Sequence, residues 1–261
     1  LYTERTVDQF DQAESTLSTL FGGADFGEDI LGAFGPAGHL IVAHQPFDDP
    51  TVAPDIKLPA FAFVVELEDS ARMVPQLRRN FQSLIGFINI TGAMNGQPQL
   101  DQETERGDGW QLLTAYYLPP IDDDRETTGL PIQYNFSPAI GFVGDRCVIS
   151  STTSLAKTLL TAEPIEAGSG GSAAGGDEVA NTSAMLVARP LQSVLQDNRD
   201  QLVAQAMLDD GKSQEEATRD IGLLTELVGW FGDLTIRFHH DHSQASLELE
   251  LTFDDQQAIP R

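Results

Sequence analysis

Four consecutive residues, His239-His240-Asp241-His242, form the densest set of potential metal ligands in the chain. Imidazole nitrogens and a carboxylate oxygen are the donors that zinc and related ions take. The spacing works against them, because successive strand residues project to opposite faces and converge only on a tight turn. A polar hairpin tip explains the same residues. His39 and His44 flank a separate apolar stretch, and no pattern brings them to the other three. A second candidate is the acidic run Asp122-Asp123-Asp124-Arg125-Glu126, with Asp122 and Asp124 as calcium ligands. Counted from Asp122, the positions where an EF-hand loop needs Gly and Glu hold Thr127 and Gln133. The run therefore reads as a solvated acidic turn.

Nucleophile patterns fare no better. Ser154-Leu155-Ala156-Lys157 has S-x-x-K spacing, which sets a hydroxyl and an amine one helical turn apart. The companion K-T-G fails, since Lys157-Thr158 is followed by Leu159, and no S-D-N occurs. A serine at a helix start and a surface lysine account for the pair. Asp25-Phe26-Gly27 spells a kinase triplet without the Gly-rich loop or H-R-D segment that gives it meaning. The single cysteine, Cys147, sits in an apolar run with no histidine beside it and reads as an inert core thiol. Asn89-Ile90-Thr91, Asn135-Phe136-Ser137 and Asn181-Thr182-Ser183 have glycosylation spacing, with Pro138 counting against the second. No catalytic residue and no cofactor site is assigned.

The elements that must position these residues come from a chain of 261 residues, 41% hydrophobic and 21% charged. That is enough for one large core or two smaller ones. The formal charge of -25 repels a nucleic-acid duplex or an anionic membrane, so nucleic-acid binding is set aside. No apolar run is long enough to span a bilayer. The opening Leu1-Tyr2-Thr3-Glu4-Arg5 reads as the middle of a longer polypeptide, giving the expectation of a removed leader or anchor.

Residues 137–160 hold the clearest local signals. Gly144-Asp145 lies between two short apolar runs and suits a two-residue type II′ hairpin. The run from Ser150 to Ser154 then offers caps for a helix carrying Leu155, Leu159 and Leu160. Upstream, residues 3–21 have an amphipathic helical pattern through Val7, Phe10, Leu17, Leu20 and Phe21, and Asp25 to Phe34 reads as a short helix. Strands are expected at 39–43 and 60–67. A helix with Met73, Leu77, Phe81, Leu84, Ile85 and Ile88 on one face should begin regularly near Pro75. A hairpin is expected at 99–118.

Residues 164–178, rich in Gly, Ser and Ala, separate an N-terminal lobe (1–163) from a C-terminal lobe (179–261) expected to pack on it. The second lobe should hold a strand at 183–189 and one helix from Pro190 through Ala206. A second helix opens with the capping box Ser213 to Glu216, and a final hairpin follows. That hairpin alternates Leu247, Leu249, Leu251 and Phe253 with Ser246, Glu248, Glu250 and Thr252, as in a sheet with one face on the core. Residues 60–118 and 183–253 share the order strand, helix, hairpin, which suggests a degenerate repeat. The expected class is α+β, with largely antiparallel sheets and helices packed on one face.

The segments DFGEDILGAFGP, LPAFAFVVELED, SPAIGFVGDRCVISSTTSLAKTLL and FGDLTIRFHHDHSQASLELELTF together resemble a domain-of-unknown-function family of bacterial proteins. The resemblance is one of pattern over most of the chain. It implies export or anchoring to the envelope, and no catalytic residues. The functional expectation is a non-enzymatic extracytoplasmic module that binds a protein, polymer or small ligand. The alternatives are a metal-dependent enzyme using His239, His240 or His242, and a structural or inhibitory domain of a larger assembly. Nothing in the pattern sets an oligomeric state.

Overall fold

The computed structural model describes residues 34–47, 53–118, 129–162, 182–240 and 245–253. The fold is α+β with antiparallel sheets. The chain divides into two compact units at Ala162/Glu163. Two pieces of an earlier connection, His44–Pro46 and Asp55–Pro59, belong with the second unit. Residues 3–21, 25–33 and the Gly/Ser-rich 164–178 lie outside the described residues.

Unit 1 is a six-stranded sheet of β1 (Phe34–Ala43), β2 (Ala60–Leu67), β3 (Leu100–Arg106), β4 (Trp110–Tyr117), β5 (Ala139–Val143) and β6 (Arg146–Ser150). The spatial order is β1-β2-β6-β5-β4-β3, with every neighbouring pair antiparallel. β1 begins at Phe34, five residues before its expected start, and a register shift between Phe34 and Gly38 absorbs Gly35-Pro36. The β5–β6 turn is the expected one. Gly144 has φ of 56°, and among the described residues no non-glycine residue, Asp145 included, has positive φ. Positive φ at the first central position alone is what a type II′ turn requires.

Two helices cover this sheet. α1 (Ser70–Met94) starts five residues ahead of Pro75, because Asp69 accepts a hydrogen bond from Arg72 N at 3.1 Å and caps it. Pro75 has no N–H to give the Ala71 carbonyl, and the helix tolerates that loss near its start. Met73 and Leu77 pack on Leu67, Leu113, Ile140, Phe142 and Cys147. Farther along, Ile85 packs on Leu100 and Ala115. α2 (Thr153–Thr161), capped by Thr152, sets Ala156 and Leu160 on Ala62, Leu112, Ala139 and Val148. These are the alternate residues of the same strands, so α2 lies on the opposite face. Helices on one face were expected; unit 1 has one on each. Gly141 permits this, since a Cβ there would stand 2.4 Å from Leu160. The β2-to-β6 pairing, Ala62 to Ser150, closes the sheet.

Unit 2 runs β7 (Thr182–Val187), α3 (Ala188–Asp197), α4 (Arg199–Asp210), α5 (Gln214–Trp230), β8 (Phe231–His240) and β9 (Ala245–Phe253). The three strands pair in the order β7-β8-β9. The order strand, helix, hairpin recurs as expected, but the pairing does not. β7 lies directly on β8, whereas β2 pairs with β1 and β6 and not with β3. The single helix expected from Pro190 is broken at Asn198. The Asn198 side chain donates to Val194 O at 2.9 Å, competing locally with the helical ladder. The capping box forms as expected: Glu216 N donates to Ser213 Oγ at 3.3 Å, and Ser213 N to Glu216 Oε2 at 3.1 Å. α3 and α4 pack against α5 around Val203 and Ala217.

Candidate functional site

Of the expected metal ligands, only the backbones of His239 and His240 fall among the described residues. His239 and His240 are the last two residues of β8, paired in register with Ser246 and Ala245. Asp241, His242, Asp122 and Asp124 lie outside the described residues. Among the described residues no group of three or more His, Cys, Asp or Glu side chains could hold a metal ion.

The serine-rich run of the S-x-x-K segment is spent on structure. Phe61 N donates to Ser151 Oγ at 2.9 Å, Thr152 N to Ser150 Oγ at 3.1 Å, and Thr153 N to Ser137 Oγ at 2.9 Å. Lys157 is ion-paired with Glu105 at 2.7 Å. Cys147 is fully buried, and burial pushes its thiol up to about 12, so it is no nucleophile near neutral pH. Asn89 is also committed. Its Oδ1 accepts a hydrogen bond from Leu100 N at 2.7 Å and its Nδ2 donates one to Leu100 O at 2.9 Å, so the nitrogen a glycan would use is engaged. Asn135 is buried, and Asn181 lies outside the described residues.

One constellation was invisible in the sequence. His44 Nε2 lies 2.7 Å from Asp197 Oδ2, across 153 positions. Beside it, Asn198 Oδ1 accepts from Lys57 N and Asn198 Nδ2 donates to Lys57 O, both at 2.8 Å. Lys57 Nζ donates to Asp197 O at 3.2 Å. A histidine oriented by a carboxylate is half of a general-base device, but that device needs a hydroxyl or thiol within reach. Among the hydrogen bonds of the described residues, none joins His44 to Ser, Thr or Cys. The group acts as a clasp that fixes the connecting segment within unit 2.

A cleft of about 380 Å³ opens in unit 1 where α1 begins. Arg106, Trp110, Gln111 and Phe142 line it, together with Ser70. Two of its polar groups are engaged: Ser70 Oγ donates to Asp145 at 2.6 Å, and Gln111 accepts from Arg78 at 3.3 Å. Asp69 caps the helix end facing it. The cleft has neither a paired carboxylate nor an activated nucleophile.

The feature that stands apart is apolar. In β7-β8-β9 the cross-strand rows are Phe238 with Leu247, Ala184 with Ile236 and Leu249, Leu186 with Leu234 and Leu251, and Phe231 with Phe253. Sequence alternation correctly puts these on one face, but that face was expected on a core. Instead Leu247, Leu249 and Phe253 are 63%, 64% and 63% exposed. The helices join the sheet at one end without a loop, β7 into α3 and α5 into β8, and leave the face uncovered. The opposite face is polar on β8 and β9, where Arg237 lies 3.5 Å from Glu248 and 3.2 Å from Glu250, while β7 adds the exposed Met185 and Val187 to it. A smaller apolar corner, with Leu40, Val42, Phe61, Phe63 and Ile149 exposed, lies at the β1-β2-β6 end of the unit 1 sheet. No family model, curated protein or solved structure matches the chain.

Proposed function

We propose that this chain is a non-enzymatic binding module acting outside the cytoplasm, in the bacterial envelope, and that it binds through the apolar face of β7-β8-β9. The observation carrying this reading is the row of Leu247, Leu249, Leu251 and Phe253 left open on an otherwise acidic strand. An uncovered patch of this kind marks a contact with a protein or a membrane. A formal charge of -25 disfavours an anionic bilayer, which favours a protein partner. The envelope setting rests on the likeness to exported bacterial proteins.

A hydrophobic dye added to the native chain at nanomolar concentration tests the surface. Binding is expected, and Leu249→Asp should weaken it; a native chain that ignores the dye sinks the proposal. Fractionation of cells carrying the natural gene tests the setting, and a purely cytoplasmic product would contradict it. The metal-dependent alternative stands on His239-His240-Asp241-His242 alone. Melting with chelator, zinc or calcium is expected to show only the effect of ionic strength. A zinc-specific rise in Tm would restore that alternative.

A further inference from the structure

We infer that the occupant of this face is a second copy of the same chain, packed sheet on sheet about a two-fold axis. The inference rests on the binding-module reading and adds the partner. Three observations carry it. The first is area. Leu186, Phe238, Leu247, Leu249, Leu251 and Phe253 each remain between 40% and 64% exposed. Each offers on the order of 100 Å² of apolar surface, so one copy presents about 600 Å², close to the ~800 Å² per partner of a standard interface.

The second is charge. From Phe231 to Phe238 the rows on this face contain only Thr, Ala, Leu, Ile and Phe, and the last row pairs His240 with Ala245, so the face carries no Asp, Glu, Lys or Arg in a chain of formal charge -25. A basic partner would find no carboxylate to pair with there. A second copy brings an equally uncharged face and keeps its Glu248 and Glu250 on the far side, in water. The third is shape. A pleated three-stranded face rich in leucine fits another like itself, with strands crossing at about 30° and sheets about 10 Å apart. A two-fold axis makes such a patch self-complementary.

The dependence on salt follows. Two copies of charge -25 repel each other, and screening relieves the repulsion. Self-association should therefore strengthen as salt rises, the reverse of what a contact between opposite charges does.

Sedimentation or light scattering of the whole chain from nanomolar to tens of micromolar tests this, with the dye read in parallel. A dimer that tightens with salt, and that Leu249→Asp weakens at least tenfold with its circular dichroism unchanged, supports the inference. A monomer at every concentration that still binds dye overturns the second copy and leaves the binding module standing. A monomer that binds no dye overturns both. A dimer indifferent to Leu249→Asp but dissociated by Phe63→Asp uses the unit 1 corner and overturns the inference. Should Leu249→Asp fail to fold, hydroxyl-radical labelling of Leu247, Leu249 and Phe253 in the unaltered chain decides. Labelling that falls as concentration rises supports the dimer, and constant labelling overturns it.

Discussion

Units 1 and 2 are built from the same kind of strand, with alternating apolar and polar residues, and they end differently. In unit 1 the alternation is used twice. Leu113 and Ala115 face α1, while Leu112 faces α2, so both sides of β4 are buried. In unit 2 the alternation of β9 sorts leucine from glutamate, and then nothing described covers the leucines. The difference lies in where the helices attach. α1 leaves β2 at one side of the sheet and returns the chain to β3 at the far edge, so it must cross a face. In unit 2 β7 and β8 are neighbours, and the helices between them need cross nothing. Alternation creates an apolar face, but connectivity decides whether the chain itself covers it.

The units also share a device. Asn89 holds both backbone atoms of Leu100, and Asn198 holds both of Lys57. In each case one amide pins an incoming segment to a helix end by two hydrogen bonds.

Paired substitutions probe this comparison most directly. Leu112→Ala removes a fully buried side chain and should cost about 2–5 kcal/mol of unfolding free energy. Leu249→Ala, its counterpart on the open face, should cost about 0.5 kcal/mol or less in dilute chain. Chemical denaturation of both variants checks this, and equal losses would mean that the unit 2 face is buried in solution. A smaller effect is expected from the asparagines. Asn89→Ala and Asn198→Ala each strand two backbone groups and should cost about 1–3 kcal/mol. Amide exchange at Leu100 and Lys57 should rise in the matching variant only, and cross-talk would erase the distinction between the units.

The smallest effect is on pH. The Ser213 N–H and hydroxyl hold the Glu216 carboxyl below the ordinary glutamate value of 4.5. A depressed folded-state value gives stability that is present above 4.5 and is lost as pH falls through the lower value. Helicity of α5 should fall slightly on acidification, and Glu216→Gln should flatten that dependence. The group is fully exposed, so the effect is small beside the others.

What the sequence revealed was local. Gly144 fixed the β5–β6 turn, and Ser213 with Glu216 fixed the start of α5, because each signal acts within a few residues. Asp69 and Ser70 were legible as the turn into α1, but Pro75 set the start of regular helix too late, and the cap decides. The Asn198–Lys57 and His44–Asp197 contacts could not be read, since both depend on a segment about 140 to 153 positions away. The open face was half legible. Its residues were correctly grouped, but its lack of a cover is a property of topology.

The pairing of β2 with β6 also governs how unit 1 comes into being. Ala62 must wait for Ser150, 88 residues later (150 minus 62), before that edge of β2 has a partner. At a synthesis rate of about 5–20 residues per second, the delay on the ribosome is roughly 4–18 s. Pairing across so long a span is also slow in the free chain. Throughout that interval β2 carries Phe61, Phe63 and Val65 with one edge unpaired, the condition under which strands associate wrongly. The β3-β4-β5-β6 meander pairs strands that are consecutive in the chain, so it can complete before β2 inserts beside it.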